Sequence, residues 1–141
     1  MTTPGSRALA LRASAATYPG RAEQVRSVRA DLRLLLVGCP IADDVIHCAS
    51  ELAANAVRHS QSRLAGGTFI VRTEIYPGDY IWIEVEDDGG TWLEAARDPE
   101  RGHGLEILRA LASEWGVEGD EASRVVWARL DWPLRQRRPA G

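Results

Sequence analysis

Residues 51–60 read ELAANAVRHS, and this stretch decides the fold because it combines a helical apolar pattern with polar groups on one side. Its apolar side chains recur at the three-to-four spacing of a buried helix face. Between them, Glu51, Asn55 and His59 are four residues apart and therefore form one stripe, with Arg58 beside it. Such a stripe is either a chemical site or the solvated side of an amphipathic helix, and the stretch alone leaves both interpretations open.

The composition indicates a single globular domain. The chain has 141 residues, of which 45% are hydrophobic, so it can bury one core but is short for two. A formal net charge of -3 argues against sequence-independent nucleic-acid binding, which depends on a basic surface. Since no apolar run reaches membrane-spanning length and no signal peptide is visible, we expect a cytoplasmic protein with protein or small-molecule partners.

Lysine is absent from the chain, and all 17 basic residues are arginine. This excludes mechanisms that need a lysine amine, such as a Walker A loop, a eukaryotic-type kinase lysine or a Schiff base. Phosphate chemistry must therefore use another architecture. The two cysteines, Cys39 and Cys48, make neither a disulfide framework nor a metal-spaced cluster, and we expect buried thiols.

The predicted elements follow the order strand, two helices, two strands, helix, two strands. The predicted bounds are a strand at 8–13 broken by Pro19 and Gly20, helices at 21–37 and from a cap at Asp43 or Asp44 to 60, strands at 68–76 and 80–85, a helix from His103, and strands at 115–118 and 123–130. This order predicts an α+β two-layer sandwich: a mixed, mostly antiparallel sheet with helices on one face. We expect one domain over residues 1–141, with its core at about 22–132.

The polar stripe of the second helix suits phosphate chemistry. An amide oxygen such as that of Asn55 is a hard neutral ligand for Mg²⁺, which takes few protein ligands when phosphates supply the rest. A carboxylate one turn earlier, Glu51, could orient or deprotonate a hydroxyl in line with a terminal phosphate.

A second candidate stretch is VEDDGG, residues 85–90, at the end of a predicted strand. The Asp87 carboxylate could accept a hydrogen bond from the exocyclic amine of adenine, and it would repel the oxygen that guanine presents there. Gly89 and Gly90 would let the backbone approach a flat base. An ordinary strand ending in an Asp-Gly turn has the same pattern.

A third stretch, RGHGLEIL at residues 101–108, places two glycines at the start of a predicted helix. Amide groups at a helix N-terminus bind anions, and Gly102 and Gly104 would let phosphate approach closely. Arg101 could add a charge-assisted contact to a terminal phosphate. A glycine-rich loop between two elements would look the same.

Together, and in this order, the three stretches resemble the nucleotide site of the GHKL superfamily, the Bergerat-fold ATPases and kinases. ELAANAVRH resembles the N-box, DDGG the G1 box and GHGL the G2 box. The chain is most similar to the small stand-alone anti-sigma factor serine kinases and related histidine-kinase-like ATP-binding regulators. The resemblance extends over about residues 22–132.

The resemblance implies a role for each matched position. Asn55 would coordinate Mg²⁺, Glu51 would be the general base, Asp87 would bind the adenine amine and Gly89 would pack near the base. The remaining implied ATP-binding positions are Arg101, Gly102, His103, Gly104 and Leu105. Such kinases sequester a sigma factor and phosphorylate a serine on an anti-anti-sigma partner of the STAS type. A homodimer is also expected from the resemblance, whereas a direct nucleic-acid or membrane partner is not.

Two departures from the family pattern affect the expected activity. Thr91 stands where the G1 box often has its last glycine. Ser123 and Val125 stand where the family tends to carry a glycine and a threonine that supports the adenine contact. Valine cannot donate that hydrogen bond, so nucleotide affinity or catalysis could be reduced.

Three functional hypotheses follow. The first, which Glu51 and Asn55 favour, is a serine/threonine protein kinase that acts on a regulatory protein. The second, which Thr91 and Val125 favour, is a non-catalytic module that uses ATP, or no nucleotide, to hold a partner. The third is the catalytic fragment of a two-component histidine kinase, which the short segment before Arg21 disfavours because a phosphoacceptor hairpin would not fit there. We prefer the first hypothesis.

Overall fold

A five-stranded antiparallel sheet forms one layer of the computed structural model, which describes residues 12–59, 64–89 and 103–133. Helices form the second layer, which confirms the predicted α+β fold. The elements are β1 (Arg12–Pro19), α1 (Gln24–Leu35), α2 (Ala42–His59), β2 (Thr68–Tyr76), β3 (Tyr80–Asp87), α3 (His103–Leu111), β4 (Glu114–Gly119) and β5 (Arg124–Asp131).

The strand order in the sheet is β1-β2-β3-β5-β4, and all four pairings are antiparallel. β2 and β3 form a hairpin whose turn contains Gly78 at a φ of 81°. The chain then crosses through α3 to β4 and returns along β5, which lies between β4 and β3. This crossover brings the start of β5 beside the end of β3, where the sequence placed the acidic pair.

The core lies between the sheet and α2. Ile81, Ile83 and Val85 of β3 are almost completely buried, while the alternate residues of the strand remain half-buried. This is the period-2 pattern of a strand that faces the core on one side. Each such side chain contributes about 1.5–3 kcal/mol on burial. The apolar face of α2, including Leu52 and Ala53, packs against β2, β3 and β5, as the helical spacing predicts.

The first strand lies further along the chain than predicted. β1 pairs with β2 from Arg12 opposite Ile75 to Pro19 opposite Thr68, so the prediction of a strand at 8–13 broken by Pro19 is wrong in its C-terminal bound. Residues 8–11 lie outside the described part of the chain. Pro19 is accepted because it ends an edge strand, where the missing N–H interrupts no interior ladder.

The side chain of Tyr18 connects β1 to α1. The Tyr18 hydroxyl donates a hydrogen bond to Asp31 Oδ2 at 2.6 Å, and its ring stacks on Phe69 at a centroid distance of 5.4 Å. Burial, followed by the Asp31 hydrogen bond and charge, raises the pKa of Tyr18. The contact holds the amphipathic α1, through Val28 and Leu32, over the same core.

The second helix begins one residue earlier than its predicted cap. It starts at Ala42, so Asp43 and Asp44 occupy its first turn and neither is the N-cap. Carboxylates there still stabilise the helix, because they face the positive end of its dipole. None of the helices in the described ranges is both long and apolar enough to cross a membrane.

The sheet face opposite α2 carries paired aromatic and charged side chains. Trp82 and Trp127 stack at a centroid distance of 4.6 Å with nearly parallel rings. A Cβ added at Gly116 would lie 2.8 Å from the Trp127 ring, so the glycine makes room for that indole. Arg72 bridges Glu84 at 2.9 Å and Glu86 at 2.7 Å across neighbouring strands.

Candidate nucleotide-binding site

The polar stripe on α2 is partly buried. Asn55 is only 4% exposed, and Glu51, one turn before it, is half-buried. Arg58 Nη2 donates a hydrogen bond to Asn55 Oδ1 at 2.9 Å. The side chain of His59 lies outside the described residues. The stripe is therefore not an ordinary solvated helix face, because its central amide is enclosed.

The contact between Arg58 and Asn55 bears on the predicted Mg²⁺ site. An amide oxygen has two lone pairs, and here one of them accepts from a guanidinium. Arg58 is exposed, so it can move away at little cost when a stronger cation approaches that oxygen. Within the described ranges, no cluster of three or more His, Cys, Asp or Glu side chains could hold a metal ion. Phosphate oxygens would have to complete the coordination that Asn55 begins.

The acidic pair ends β3 as the sequence predicts. Asp87 is 4% exposed, and its Oδ1 accepts a hydrogen bond from the Gly89 backbone N–H at 2.7 Å. Asp88 points to solvent, and its Oδ2 lies 3.4 Å from the Thr68 backbone nitrogen. The two neighbouring carboxylates therefore differ in role, since Asp87 belongs to the buried face and Asp88 does not.

Gly89 is required by its surroundings. Its φ is +75°, in the left-handed region that side chains rarely adopt. An added Cβ would overlap the Glu121 carbonyl oxygen and lie 2.5 Å from its carbon. The turn between β4 and β5 thus occupies the space that a side chain at residue 89 would need, and this turn closes over the end of β3. The predicted packing of Gly89 near a base stays a prediction.

The residue paired with Asp87 on β5 is Arg124, whereas the sequence prediction placed Val125 beside the adenine contact. The β3–β5 register pairs Asp87 with Arg124 and pairs Glu86 with Val125. The proposal that Val125 stands beside the adenine contact is therefore wrong, because Val125 belongs to the other face of the sheet. The alternation of the buried residues Val126, Ala128 and Leu130 was the signal that could have identified Arg124.

Arg124 is 3% exposed and is anchored to the β4–β5 turn. Its Nε and Nη2 donate to the Asp120 carbonyl oxygen at 3.2 and 2.8 Å. The Asp120 carboxylate in turn accepts from the backbone N–H groups of Ala122 and Ser123 at 2.9 and 3.2 Å. These bonds lower the pKa of Asp120 and hold the turn in one conformation beside Gly89.

Ser123 also reaches the opposite sheet face. Its hydroxyl donates to Glu86 Oε2 at 2.8 Å, and Glu86 is paired with Arg72. The Arg72 hydrogen bond first, and then the Ser123 hydrogen bond, lower the pKa of Glu86. The strand ends that present Asp87 and Arg124 are therefore connected on both faces of the sheet.

Glu51 lies at a surface groove of about 340 Å³ between α1 and α2. The groove is lined by Arg29, Arg33, Asp43, Ile46, His47, Ser50 and Glu51. Ser50 Oγ accepts from Arg29 Nε at 3.0 Å and donates to the Ile46 carbonyl at 2.7 Å. This arrangement places the Arg29 guanidinium and the half-buried Glu51 side chain along the same groove.

The third motif is described only in part. Arg101 and Gly102 lie outside the described residues, as do Gly90 and Thr91. His103 and Gly104 begin α3, as predicted. Leu105, also predicted to touch nucleotide, is 9% exposed.

The three motifs lie on elements that pack together. α2 contacts both β3 and α3. The two helices that carry the first and third motifs thus pack against each other, and α2 also packs against β3, which carries the second motif. The buried Asp87 carboxylate and the buried Asn55 amide offer oxygen acceptors of the kinds that suit a purine amine and Mg²⁺, respectively.

Solved structures with related folds agree with this architecture. The crystal structure of the RsbU and RsbW domains of Rv1364c from Mycobacterium tuberculosis aligns with a TM-score of 0.66 at 24% identity, covering 86% of this chain and 33% of that one. The histidine kinase domain of the blue-light activated histidine kinase EL346 from Erythrobacter litoralis aligns with a TM-score of 0.51 at 20% identity, covering 82% and 66%. At these identities the likeness establishes the fold.

Sequence comparison identifies the family. Blue-light-activated histidine kinase 2 of Erythrobacter litoralis (strain HTCC2594) is 30% identical over 92 residues, which cover 63% of this chain and 27% of that protein. The chain therefore spans about a quarter of that curated relative. The family model described as the histidine kinase-like ATPase domain matches residues 18–130, most of the chain. On this match, the chain belongs to the histidine kinase-like ATPase domain family.

Proposed function

We propose that this domain binds ATP with Mg²⁺ and acts as a serine/threonine protein kinase within a sigma-factor regulatory system. In this proposal it sequesters a sigma factor and phosphorylates an anti-anti-sigma protein of the STAS type. The family match supports an ATP-binding regulator. The serine specificity and the partners rest on the resemblance of the three motifs to the anti-sigma factor kinases.

The observation that carries the proposal is the burial of two polar side chains on facing elements. Asn55 on α2 and Asp87 on β3 are each 4% exposed beside an apolar core. Burying such groups costs free energy unless they are satisfied, and apolar residues would pack there at lower cost. Asp87 accepts from the Gly89 N–H and Asn55 accepts from Arg58, and in this proposal a purine amine and Mg²⁺ are additional partners of these two buried oxygen-bearing groups.

The transfer step uses the accessible carboxylate. Bound ATP would supply the γ-phosphoryl group, and Mg²⁺ held by Asn55 would neutralise its charge. Glu51 accepts the proton of the serine hydroxyl as the new oxygen–phosphorus bond forms. The bond between the γ-phosphorus and the bridging oxygen breaks, and ADP leaves with that electron pair. The groove at Glu51 is where such a hydroxyl can enter from solution.

Isothermal titration with ATP, with and without Mg²⁺, tests nucleotide binding. We expect micromolar affinity, loss of binding in Asp87→Asn and loss of the Mg²⁺ dependence in Asn55→Ala. The matched control is Asp88→Asn, the exposed neighbour, which should bind as the wild type does. Equal effects at Asp87 and Asp88, or no binding by the wild type, would refute the proposal.

Transfer itself is tested with radiolabelled ATP and purified STAS-domain proteins from the source genome. Glu51→Gln should abolish labelling while retaining ATP affinity and complex formation on gel filtration. If no STAS protein is labelled by the wild type, the kinase assignment fails even where ATP binds.

A second function is favoured by one contact. Arg58 engages the Asn55 oxygen that Mg²⁺ would need. A non-catalytic module of the same fold, holding a partner with ATP or with no nucleotide, would retain this contact. In that case partner binding would persist in Asn55→Ala, and no phosphoryl transfer to the partner would accompany it.

A further inference from the structure

A buried arginine faces the carboxylate that is proposed to bind the base. Asp87 and Arg124 are directly opposite each other on β3 and β5 and are 4% and 3% exposed. Side chains at such positions share a face of the sheet, with Cβ atoms about 4.5–5.5 Å apart. A base that contacts Asp87 would therefore lie beside the strand position that carries Arg124.

Arg124 is held by the β4–β5 turn and lies near opposite charge. The Nε and Nη2 atoms donate to the Asp120 carbonyl oxygen, which anchors one edge of the guanidinium. A charge this deeply buried is tolerated when an opposite charge is near. The Asp120 carboxylate is such a charge, and Asp87 lies directly across the strand pair, so Asp87 and Arg124 place an acceptor and a donor at paired positions.

We propose that Asp87 and Arg124 read the purine together, so that the site accepts guanine nucleotides as well as adenine nucleotides. This inference rests on the proposed nucleotide binding at Asp87. Adenine offers an amine donor beside a ring-nitrogen acceptor, which suits the carboxylate and the guanidinium in turn. Guanine offers two N–H donors beside the O6 acceptor, which suits the same pair.

The guanidinium removes the discrimination that a carboxylate exerts alone. A lone Asp87 would repel guanine O6, whereas Arg124 donates to it. Arginine paired with O6 and N7 is the commonest specific contact to guanine, and one such pair changes base preference by about tenfold or more. Arg124 is therefore assigned as a specificity-determining residue.

The first test uses the wild-type protein and three nucleotides. Isothermal titrations with the Mg²⁺ complexes of ATP, GTP and ITP compare bases that differ in the 6-substituent and the 2-amine. We expect GTP to bind within about tenfold of ATP, with ITP close to GTP because it keeps O6 and N1–H. Binding of ATP with no detectable GTP or ITP would overturn the proposal without any substitution.

The second test removes the guanidinium. Arg124→Met keeps a side chain of similar length. It should weaken the binding of GTP and ITP at least about tenfold more than the binding of ATP. Arg124→Lys keeps the charge but loses the planar fork. Its loss of GTP and ITP affinity should lie between that of the wild type and that of Arg124→Met. Arg129→Met, on the same strand but on the opposite face, is the matched control and should leave the ratio of affinities unchanged. Circular dichroism and thermal melting establish that each variant is folded.

The outcomes separate the inference from the function on which it rests. An unchanged ATP-to-GTP ratio in both Arg124 variants, with ATP still bound, would overturn the role of Arg124 and leave ATP binding intact. Absence of binding to all three nucleotides would overturn the proposed function and this inference together. A selective loss of GTP and ITP in Arg124→Met supports both.

Discussion

Gly89→Ala should destabilise the protein by about 2–5 kcal/mol and impair nucleotide binding. The φ of +75° alone costs alanine about 1–2 kcal/mol. The new Cβ would also lie 2.5 Å from the Glu121 carbonyl carbon, and overpacking against backbone adds about 1–3 kcal/mol. Because the β4–β5 turn must then shift away from β3, the Asp87 site should lose ATP affinity as well.

Gly66→Ala is the matched control, because Gly66 has a φ of +80° and no atom within 4 Å of an added Cβ. It should show the backbone cost alone. For a domain of this size, about 1 kcal/mol corresponds to about 3–4 °C in Tm, so thermal melting should show a drop of about 6–20 °C for Gly89→Ala and about 3–8 °C for Gly66→Ala. Equal drops in Tm, with ATP titrations unaffected in both variants, would refute the role given to the turn.

Three further predictions concern single contacts. Arg58→Ala frees the Asn55 oxygen, so the Mg²⁺-dependent part of ATP affinity in titrations should rise about threefold to tenfold, and a fall would contradict this. The lowered pKa of Glu86 means that its stabilising effect is complete above the ordinary value of 4.5 and is lost as pH falls through the folded pKa. In Arg72→Met, the urea unfolding midpoint should therefore fall less steeply as the pH is lowered. An unchanged dependence of the midpoint on pH would count against the ion pair between Arg72 and Glu86. Burial raises the pKa of Cys48 to about 12, so native protein at about pH 8 should resist iodoacetamide at Cys48 until urea is added, as peptide mapping would show.

The regular elements could be read from the sequence because their signals are local. β2 matches its predicted bounds, and α3 begins at His103 as predicted. The three motifs carry the family assignment, because the residue types and their order are themselves the signal. β1 was misplaced because its small residues lack a clear alternation, and its strand form depends on pairing with β2.

The sequence by itself determined the fold class, the helix that carries Glu51 and Asn55, and the acidic end of β3. Only the tertiary structure decided that Arg124, and not Val125, faces Asp87, because strand register is a long-range property and a shift of one residue reverses the face. The closure of the β4–β5 turn over Gly89 was likewise decided by packing. Local patterns specify which side chains exist on a face, and the register between strands distant in sequence specifies which of them meet.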